Sequence, residues 1–336
     1  MKVLVTGAAG FIGYFTAKRL LERGDHVVGL DNLNAYYDVS LKQARLQKLQ
    51  RHEHFHFAKL DLSDQAAISA LFDQEAFQRV VHLAAQAGVR HSLTDPFSYV
   101  ASNVTGTLTI LEGCRHHGVE HLLYASSSSV YGASKRMPFS VHEPAAHPLS
   151  LYAASKRSTE LMAHSYAALF NVPVTGLRFF TVYGPWGRPD MALFRFARAI
   201  LEGKSIDVYN FGHHRRDFTY IDDIVEGIVR LSDDVATPNP SWDATNPDPG
   251  TSPAPYRLYN IGSSRPIELL RYIEMLEECL GRKARKNMLP MQLGDVPDTF
   301  ADVSELESAV GYAPQTPVEV GVRRFAEWFR EFYGYQ

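Results

Sequence analysis

Tyr152 and Lys156 stand four residues apart in Tyr152-Ala-Ala-Ser-Lys156, and four consecutive serines, Ser126 to Ser129, precede them. The segment from Ser150 to Phe170 is rich in Ala, Leu and Met and has no internal Pro or Gly, which predicts a helix with Ser150 as N-cap. At that spacing both side chains leave one helix face, one turn apart. A free phenol titrates near ~10 and is a poor base at neutral pH. A neighbouring ammonium favours the phenolate and brings it toward the working range. A serine hydroxyl from another loop can share the same proton network. This set could take a proton from an alcohol. A Tyr and a Lys at helical spacing also occur on ordinary surface helices, so the reading depends on what the rest of the chain supplies.

It supplies a glycine turn at the other end of the domain. Val3-Leu4-Val5 is a short apolar strand, followed by Thr6-Gly7-Ala8-Ala9-Gly10-Phe11-Ile12-Gly13 and a helical pattern through Leu20-Leu21. Three glycines spaced G-x-x-G-x-x-G give a tight turn, a close backbone approach to a pyrophosphate and close helix-on-strand packing. A second strand, His26 to Leu30, ends in Asp31. An acidic residue there accepts from adenine-ribose hydroxyls and repels a 2′-phosphate, so NAD is favoured over NADP. Further strands run from His54 to Lys59 into Asp61-Leu62, from Arg79 to Leu83 into Ala84-Ala85, and from His121 to Tyr124 into the serines. With helical segments between them they predict a doubly wound parallel sheet, an α/β fold of Rossmann type, with ligands at the carboxyl ends of the strands. Asp61 and Leu62 would meet the adenine, and small Ala84 and Ala85 would let the middle of the cofactor approach. Asn32 to Gln50 reads as a polar insertion, helical from Ser40, with no chemistry of its own.

The 336 residues exceed one layered core, so a large domain and a smaller one are expected. Hydrophobic content of 45%, charged content of 21% and a net charge of −3 give no nucleic-acid or membrane-surface footprint. No apolar run reaches ~20 residues. Met1-Lys2 leads straight into a strand, unlike a signal peptide. Cys114 and Cys279 cannot make a disulfide framework, so the expected setting is the cytoplasm. The fourteen histidines show no metal-ligand spacing, and no metal is expected.

Taken together, the glycine turn, Asp31, Ser127, Tyr152 and Lys156 resemble the extended short-chain dehydrogenase/reductases, and within them the nucleotide-sugar epimerases and dehydratases. The resemblance implies a Rossmann domain holding NAD tightly, a smaller C-terminal α/β domain clamping a UDP-sugar, and a homodimer. It assigns Tyr152 as the base on the C4 hydroxyl, Lys156 to the nicotinamide ribose and the phenol, and Ser127, three residues before Val130-Tyr131-Gly132, to the substrate hydrogen bond. Gly7, Gly10, Phe11, Ile12, Gly13, Asp31, Asn32, Asp61, Leu62, Ala84, Ala85 and Lys156 are the expected cofactor contacts, with Asn103 in support. Dehydratases and decarboxylases of the superfamily carry a glutamate where Ser129 stands, so epimerisation is favoured. The run Thr181 through Tyr183-Gly-Pro-Trp-Gly-Arg188-Pro-Asp-Met-Ala192 is similar to that of the UDP-glucuronate 4-epimerases. In these, by resemblance, Thr181, Arg188 and the serines Ser127, Ser128 and Ser129 hold the sugar carboxylate. A guanidinium offers a carboxylate a planar, paired-donor match. Arg216 would meet the diphosphate, Tyr209 the uracil and Asp295 the uridine ribose. Gln292 stands where galactose epimerases have a second phosphate arginine. A neutral-sugar UDP-glucose/UDP-galactose 4-epimerase, a UDP-glucuronate decarboxylase and a non-catalytic NAD-binding regulator remain alternatives.

The expected division is 1–178 for the NAD domain, with returns near 217–232 and 257–262, and 179–336 mainly for the sugar nucleotide. Asp222-Asp223 reads as a helix N-terminus, 234–256 as a surface loop, and 267–280 and 318–332 as amphipathic helices. Arg282 to Lys286 reads as a solvated basic turn.

Overall fold

The computed structural model of the chain describes residues 1–292 and 294–335. From the N-terminus come β1 (Lys2–Thr6), α1 (Phe11–Glu22), β2 (His26–Leu30), α2 (Val39–Leu49), β3 (Phe55–Ala58), α3 (Gln65–Gln74), β4 (Arg79–His82), α4 (Pro96–Tyr99), α5 (Gly106–His116), β5 (His121–Ser127), α6 (Leu151–Phe170) and β6 (Val174–Phe179). Then follow β7 (Thr181–Tyr183), α7 (Ala192–Leu201), β8 (Ser205–Val208), β9 (Arg215–Tyr220), α8 (Ile221–Asp233), β10 (Tyr256–Ile261), β11 (Pro266–Glu268), α9 (Leu269–Leu280), β12 (Arg285–Met288), α10 (Ser304–Val310) and α11 (Val318–Tyr333).

A seven-stranded sheet has the order β10-β6-β5-β4-β1-β2-β3, and each neighbouring pair is parallel. Its central strands are apolar on both sides, with Val3, Leu4, Val5, Val80, Val81, Leu122 and Leu123 buried, as a sheet covered on both faces requires. The strand order reverses between β1 and β4, so a crevice opens beyond their carboxyl ends. Smaller sheets β11-β9-β7 and β12-β8 carry the far wall. The chain crosses between the two parts more than once. β10 pairs with β6 in the large sheet, and α8 packs against α1. Among the described residues no helix is long and apolar enough to cross a membrane.

The catalytic-motif helix has the expected ends. The Ser150 hydroxyl accepts from the Ala153 amide at 3.1 Å, and Asn171 closes α6 in the left-handed region. Asp222 and Asp223 occupy the first turn of α8. Asp223 accepts from Tyr312 and Thr316, and Asp222 faces Arg324 at 3.6 Å.

Two local readings change. The stretch from Ile267 does not begin as helix. Pro266–Glu268 pairs antiparallel with β9, and α9 starts at Leu269, because the ladder to β9 claims that backbone first. The basic run is solvent-exposed, as expected, but it is not a turn throughout, since Arg285 and Lys286 open β12. Lys283 (2.8 Å) and Lys286 both pair with Glu277, whose side chain is 1% exposed and also accepts from the Ala284 amide at 3.1 Å. The guanidinium of Arg282 donates to the Leu201 carbonyl at 2.7 Å. Local sequence shows the cations; the fold supplies their buried acceptor.

Burial alone would raise the Glu277 carboxyl, but the two ammonium groups and the amide bring it down to about 2. A carboxyl depressed in the folded state contributes stability above its unfolded pKa, near ~4.3, and loses it as pH falls toward 2. Glu277→Gln is therefore expected to cost ~1–3 kcal/mol at pH 6 by urea unfolding, with the gap to wild type closing as pH is lowered from ~4.3 toward about 2. A gap independent of pH would assign the effect to shape and not to charge.

Candidate active site

One cleft of about 420 Å³ runs along the carboxyl ends of the central strands. At its floor is the glycine turn. Gly7 has φ +71°, and a Cβ there would meet the Ala84 Cα at 2.9 Å. A Cβ on Gly13 would lie 2.0 Å from the Gly7 carbonyl oxygen, so only glycine lets α1 start directly on the turn. Gly10 brings no side-chain cap to α1, leaving the first amides of the helix, at Phe11 and Ile12, open to an anion. Both residues line the cleft. The Asp31 carboxylate accepts from the amides of Ala9 (3.2 Å) and Leu33 (2.8 Å). A carboxylate has about four acceptor positions, so about two remain for ribose hydroxyls. Asn32 donates to Asp61 at 2.7 Å, and Asp61, Leu62, Ala84 and Ala85 complete this half of the lining. A dinucleotide fits this cradle.

Tyr152 and Lys156, on α6, line the same cleft, as do Ser127, Ser128 and Ser129. The Ser127 oxygen accepts from both the amide (3.2 Å) and the hydroxyl (2.9 Å) of Ser129. With both lone pairs engaged, Ser127 has only its proton to give. Ser126 turns the other way, onto Glu160 at 2.6 Å. Burial raises the Tyr152 phenol, while the Ser127 hydroxyl and the Arg188 charge pull it down. The buried Lys156 ammonium donates to the Ala125 carbonyl at 2.9 Å, and burial lowers it to about 8. The ammonium is thus tethered to the end of β5, and the Arg188 charge acts on the phenol, opposed by the Asp190 carboxylate. Asn103 is buried and does not reach the cleft. It bonds both the amide and the carbonyl of Gln86 (2.8 and 3.0 Å) and the Ser155 hydroxyl (2.9 Å), tying the end of β4 to α6.

Thr181, Arg188, Arg216 and Asp295 close the far side. Arg188 is forked onto Asp190, from Nε at 3.1 Å and Nη2 at 2.5 Å. Arg216 donates to Asp295 Oδ1 (3.1 Å) and to the carbonyls of Arg215, Val296 and Pro297. Of the five guanidinium donors these take four, so a diphosphate would bind by exchange. Tyr209 does not line the cleft. Its ring is a platform for the Arg90 guanidinium at 5.1 Å. Gln292 does not line it either.

Sequence reasoning missed the part played by the insertion. Asn34, Tyr36, Tyr37 and Lys42 line the cleft, and Tyr36 donates to Asp190 at 3.1 Å. The available signal was in α2, where the buried Leu41, Lys42, Arg45, Leu46 and Leu49 put two cations on the apolar face. Among the described residues no three His, Cys, Asp or Glu side chains gather as a metal site would need.

A profile of the NAD dependent epimerase/dehydratase family matches residues 3–244. An uncharacterized 37.6 kDa protein of Escherichia coli O111:H- is 57% identical over 333 residues, 99% of either chain. A probable UDP-glucuronate 4-epimerase of Rhizobium meliloti is 49% identical, covering 99% of this chain and 98% of its own. The crystal structure of UDP-glucuronic acid 4-epimerase from Bacillus cereus with UDP-glucuronic acid and NAD superposes with a TM-score of 0.88 at 34% identity, covering 99% of this chain and 100% of that one. A tyrosine-to-phenylalanine variant of that enzyme was crystallised with UDP-4-deoxy-4-fluoro-glucuronic acid and NAD.

The cradle geometry carries a direct expectation. Gly13→Ala drives a methyl into the Gly7 carbonyl and should weaken NAD retention by about tenfold or more, since ~1.4 kcal/mol of strain suffices for that. Bound NAD per purified chain measures it, with far-UV circular dichroism reporting an intact fold. Full retention would show that the turn can shift to admit a side chain.

Proposed function

The chain belongs to the NAD-dependent epimerase/dehydratase family, and from that premise we propose that it interconverts UDP-glucuronate and UDP-galacturonate by inverting C4. It is an isomerase. The observation that carries the acidic-sugar reading is a guanidinium, Arg188, set in the same cleft as Tyr152 and close enough that each shifts the pKa of the other. Similarity along the full chain to a probable UDP-glucuronate 4-epimerase supports it.

NAD, when bound, would supply the hydride acceptor and donor for C4 of the sugar. Gly7, Gly10, Phe11, Ile12, Gly13, Asp31 and Lys156 would hold it. Tyr152 takes the O4 proton as the C4 ketone forms and gives it back on the return. Ser127, with only its proton to give, donates to the phenolate or to O4 and so steadies charge on either side of the transfer. The ketone makes the C6 carboxylate a β-keto acid, which loses carbon dioxide when the C5–C6 bond aligns with the carbonyl π system. Thr181, Arg188 and the serine loop restrain that carboxylate, and Arg216 and Asp295 receive the nucleotide.

We place the domain boundary at 178, with returns at 217–232 and 257–262. The assembly we propose is a homodimer, supported by exposed Leu108 on α5 and exposed Leu161 and Leu169 on the neighbouring α6. The compartment we propose is the cytoplasm, in keeping with two unpaired cysteines.

Tyr152→Phe deletes the base and almost no volume. It should lower kcat by ~100-fold or more while UDP-sugar binding persists in titration calorimetry. Retention of more than about a tenth of wild-type kcat would require another base.

Arg188→Ala should cost UDP-glucuronate about 30- to several-thousand-fold in kcat/KM, and UDP-glucose, which has no charge at C6, at least about tenfold less. Removing the cation also raises the Tyr152 pKa, so the acid limb of the rate profile should move to higher pH. Equal losses on the two sugars would make Arg188 a loop support and remove the acidic-sugar argument.

A further inference from the structure

The insertion holds the loop that carries Arg188 at two points. Arg45 of α2 is fully buried and spans three segments. Its Nη1 donates to the Ala9 carbonyl of the glycine turn (3.0 Å) and the Tyr37 hydroxyl (2.9 Å), and its Nη2 to the Gly187 carbonyl (3.1 Å) and the Trp186 carbonyl (2.5 Å). Trp186 is thereby kept at φ +61°, a left-handed conformation that a bulky residue seldom adopts unaided. The second hold is at the guanidinium itself. Asp190 receives Nε and Nη2 of Arg188 on its two oxygens, and Tyr36 donates to Asp190 Oδ2 at 3.1 Å.

This arrangement uses one edge of Arg188 and leaves the other. A guanidinium has a side-on pair of donors, Nε with one Nη, and an end-on pair shared by the two terminal nitrogens. Asp190 takes the side-on pair, so the end-on pair is what the cleft-lining arginine can offer a ligand. The Arg188–Asp190 pair is also close to neutral as a unit. A sugar carboxylate is then selected by direction more than by net charge.

We propose that Asp190, fixed by Tyr36, and Arg45 are positioning residues that aim the end-on pair of Arg188 at the C6 carboxylate and hold it out of line with the C4 ketone. This rests on the acidic-sugar reading above. The failure it prevents is chemically defined. The C5–C6 bond breaks, its electron pair enters the C4 carbonyl to give an enolate, carbon dioxide leaves, and solvent returns a proton at C5, giving a UDP-4-keto-pentose.

The experiment is the partition of UDP-glucuronate consumed by the full-length, NAD-loaded protein between UDP-galacturonate and carbon dioxide. Wild type, Asp190→Asn, Tyr36→Phe and Arg45→Met are compared, with kcat and KM for each. Asp190→Asn should raise the carbon dioxide fraction at least about tenfold and lower kcat for epimerisation by a similar factor, with KM changed by less than about threefold because the Arg188 charge survives. Tyr36→Phe and Arg45→Met should shift the partition the same way. A merely structural role would lower the amount of active protein and leave the partition untouched. Loss of one hydroxyl in Tyr36→Phe keeps the test alive if Arg45→Met does not fold. Wild-type partition in both Asp190→Asn and Tyr36→Phe overturns the inference alone. A wild type that leaves UDP-glucuronate unchanged overturns the functional reading and this inference with it.

Discussion

The site depends on one buried ion cluster beneath it. Glu160 and Arg178 are both 0% exposed and meet in a fork, at 2.9 and 3.0 Å. Arg157 and Ser126 add to the same carboxylate, each at 2.6 Å. A buried charge stripped of its partner costs ~3–5 kcal/mol, so these elements can pack only with the fork closed. The remaining face of Arg178 rests on the Tyr131 ring, 4.8 Å away. Three elements are thus fixed to each other. Glu160 follows Lys156 by one turn of α6, Arg178 is on β6, and Ser126 immediately precedes the serine that faces the phenol. The rotation of α6, and with it the direction of Tyr152 and Lys156, is set by this pairing.

A second principle runs through the far wall, where each arginine already has an acid from its own chain. Arg188 has Asp190, and Arg216 has Asp295. Desolvated guanidinium groups without partners would be costly, so the protein supplies counter-charge before any ligand arrives. Ligand oxygens compete with internal carboxylates and carbonyls or use leftover donors. Discrimination then follows from which N–H directions remain, a property of geometry.

What could be read from the chain alone follows the range of each interaction. The glycine turn, the Ser150 cap and the paired Tyr152 and Lys156 are local patterns, fixed by spacing along the backbone, and the fold presents them where the spacing put them. The roles of Asp190 and Arg45 are not local. Asp190 stood in plain view within a run that had been read, yet its use depends on Tyr36, 154 residues away. Arg45 lies in an insertion read as having no chemistry of its own, because its acceptors at Ala9, Trp186 and Gly187 are assembled only by the tertiary fold. Lys283 and Lys286, exposed as expected, gain a buried carboxylate on α9 that local sequence does not show. Tyr209, an aromatic in the expected position, stands outside the cleft lining with its ring under the Arg90 guanidinium.

The returning strand β10 has a consequence for how the polypeptide is made. The β6 edge of the large sheet is completed by Tyr256–Ile261, and α8 covers α1 from more than 200 positions downstream. While the chain is emerging from the ribosome, about the first 180 residues can form six strands but must wait, at ~5–20 residues per second, for the segment that seals that edge. An open parallel edge is a template for unwanted pairing during that interval. The two halves therefore mature together, and the helix beside β6 acquires its final surroundings only after about half of the second part, through Ile261, has been synthesised.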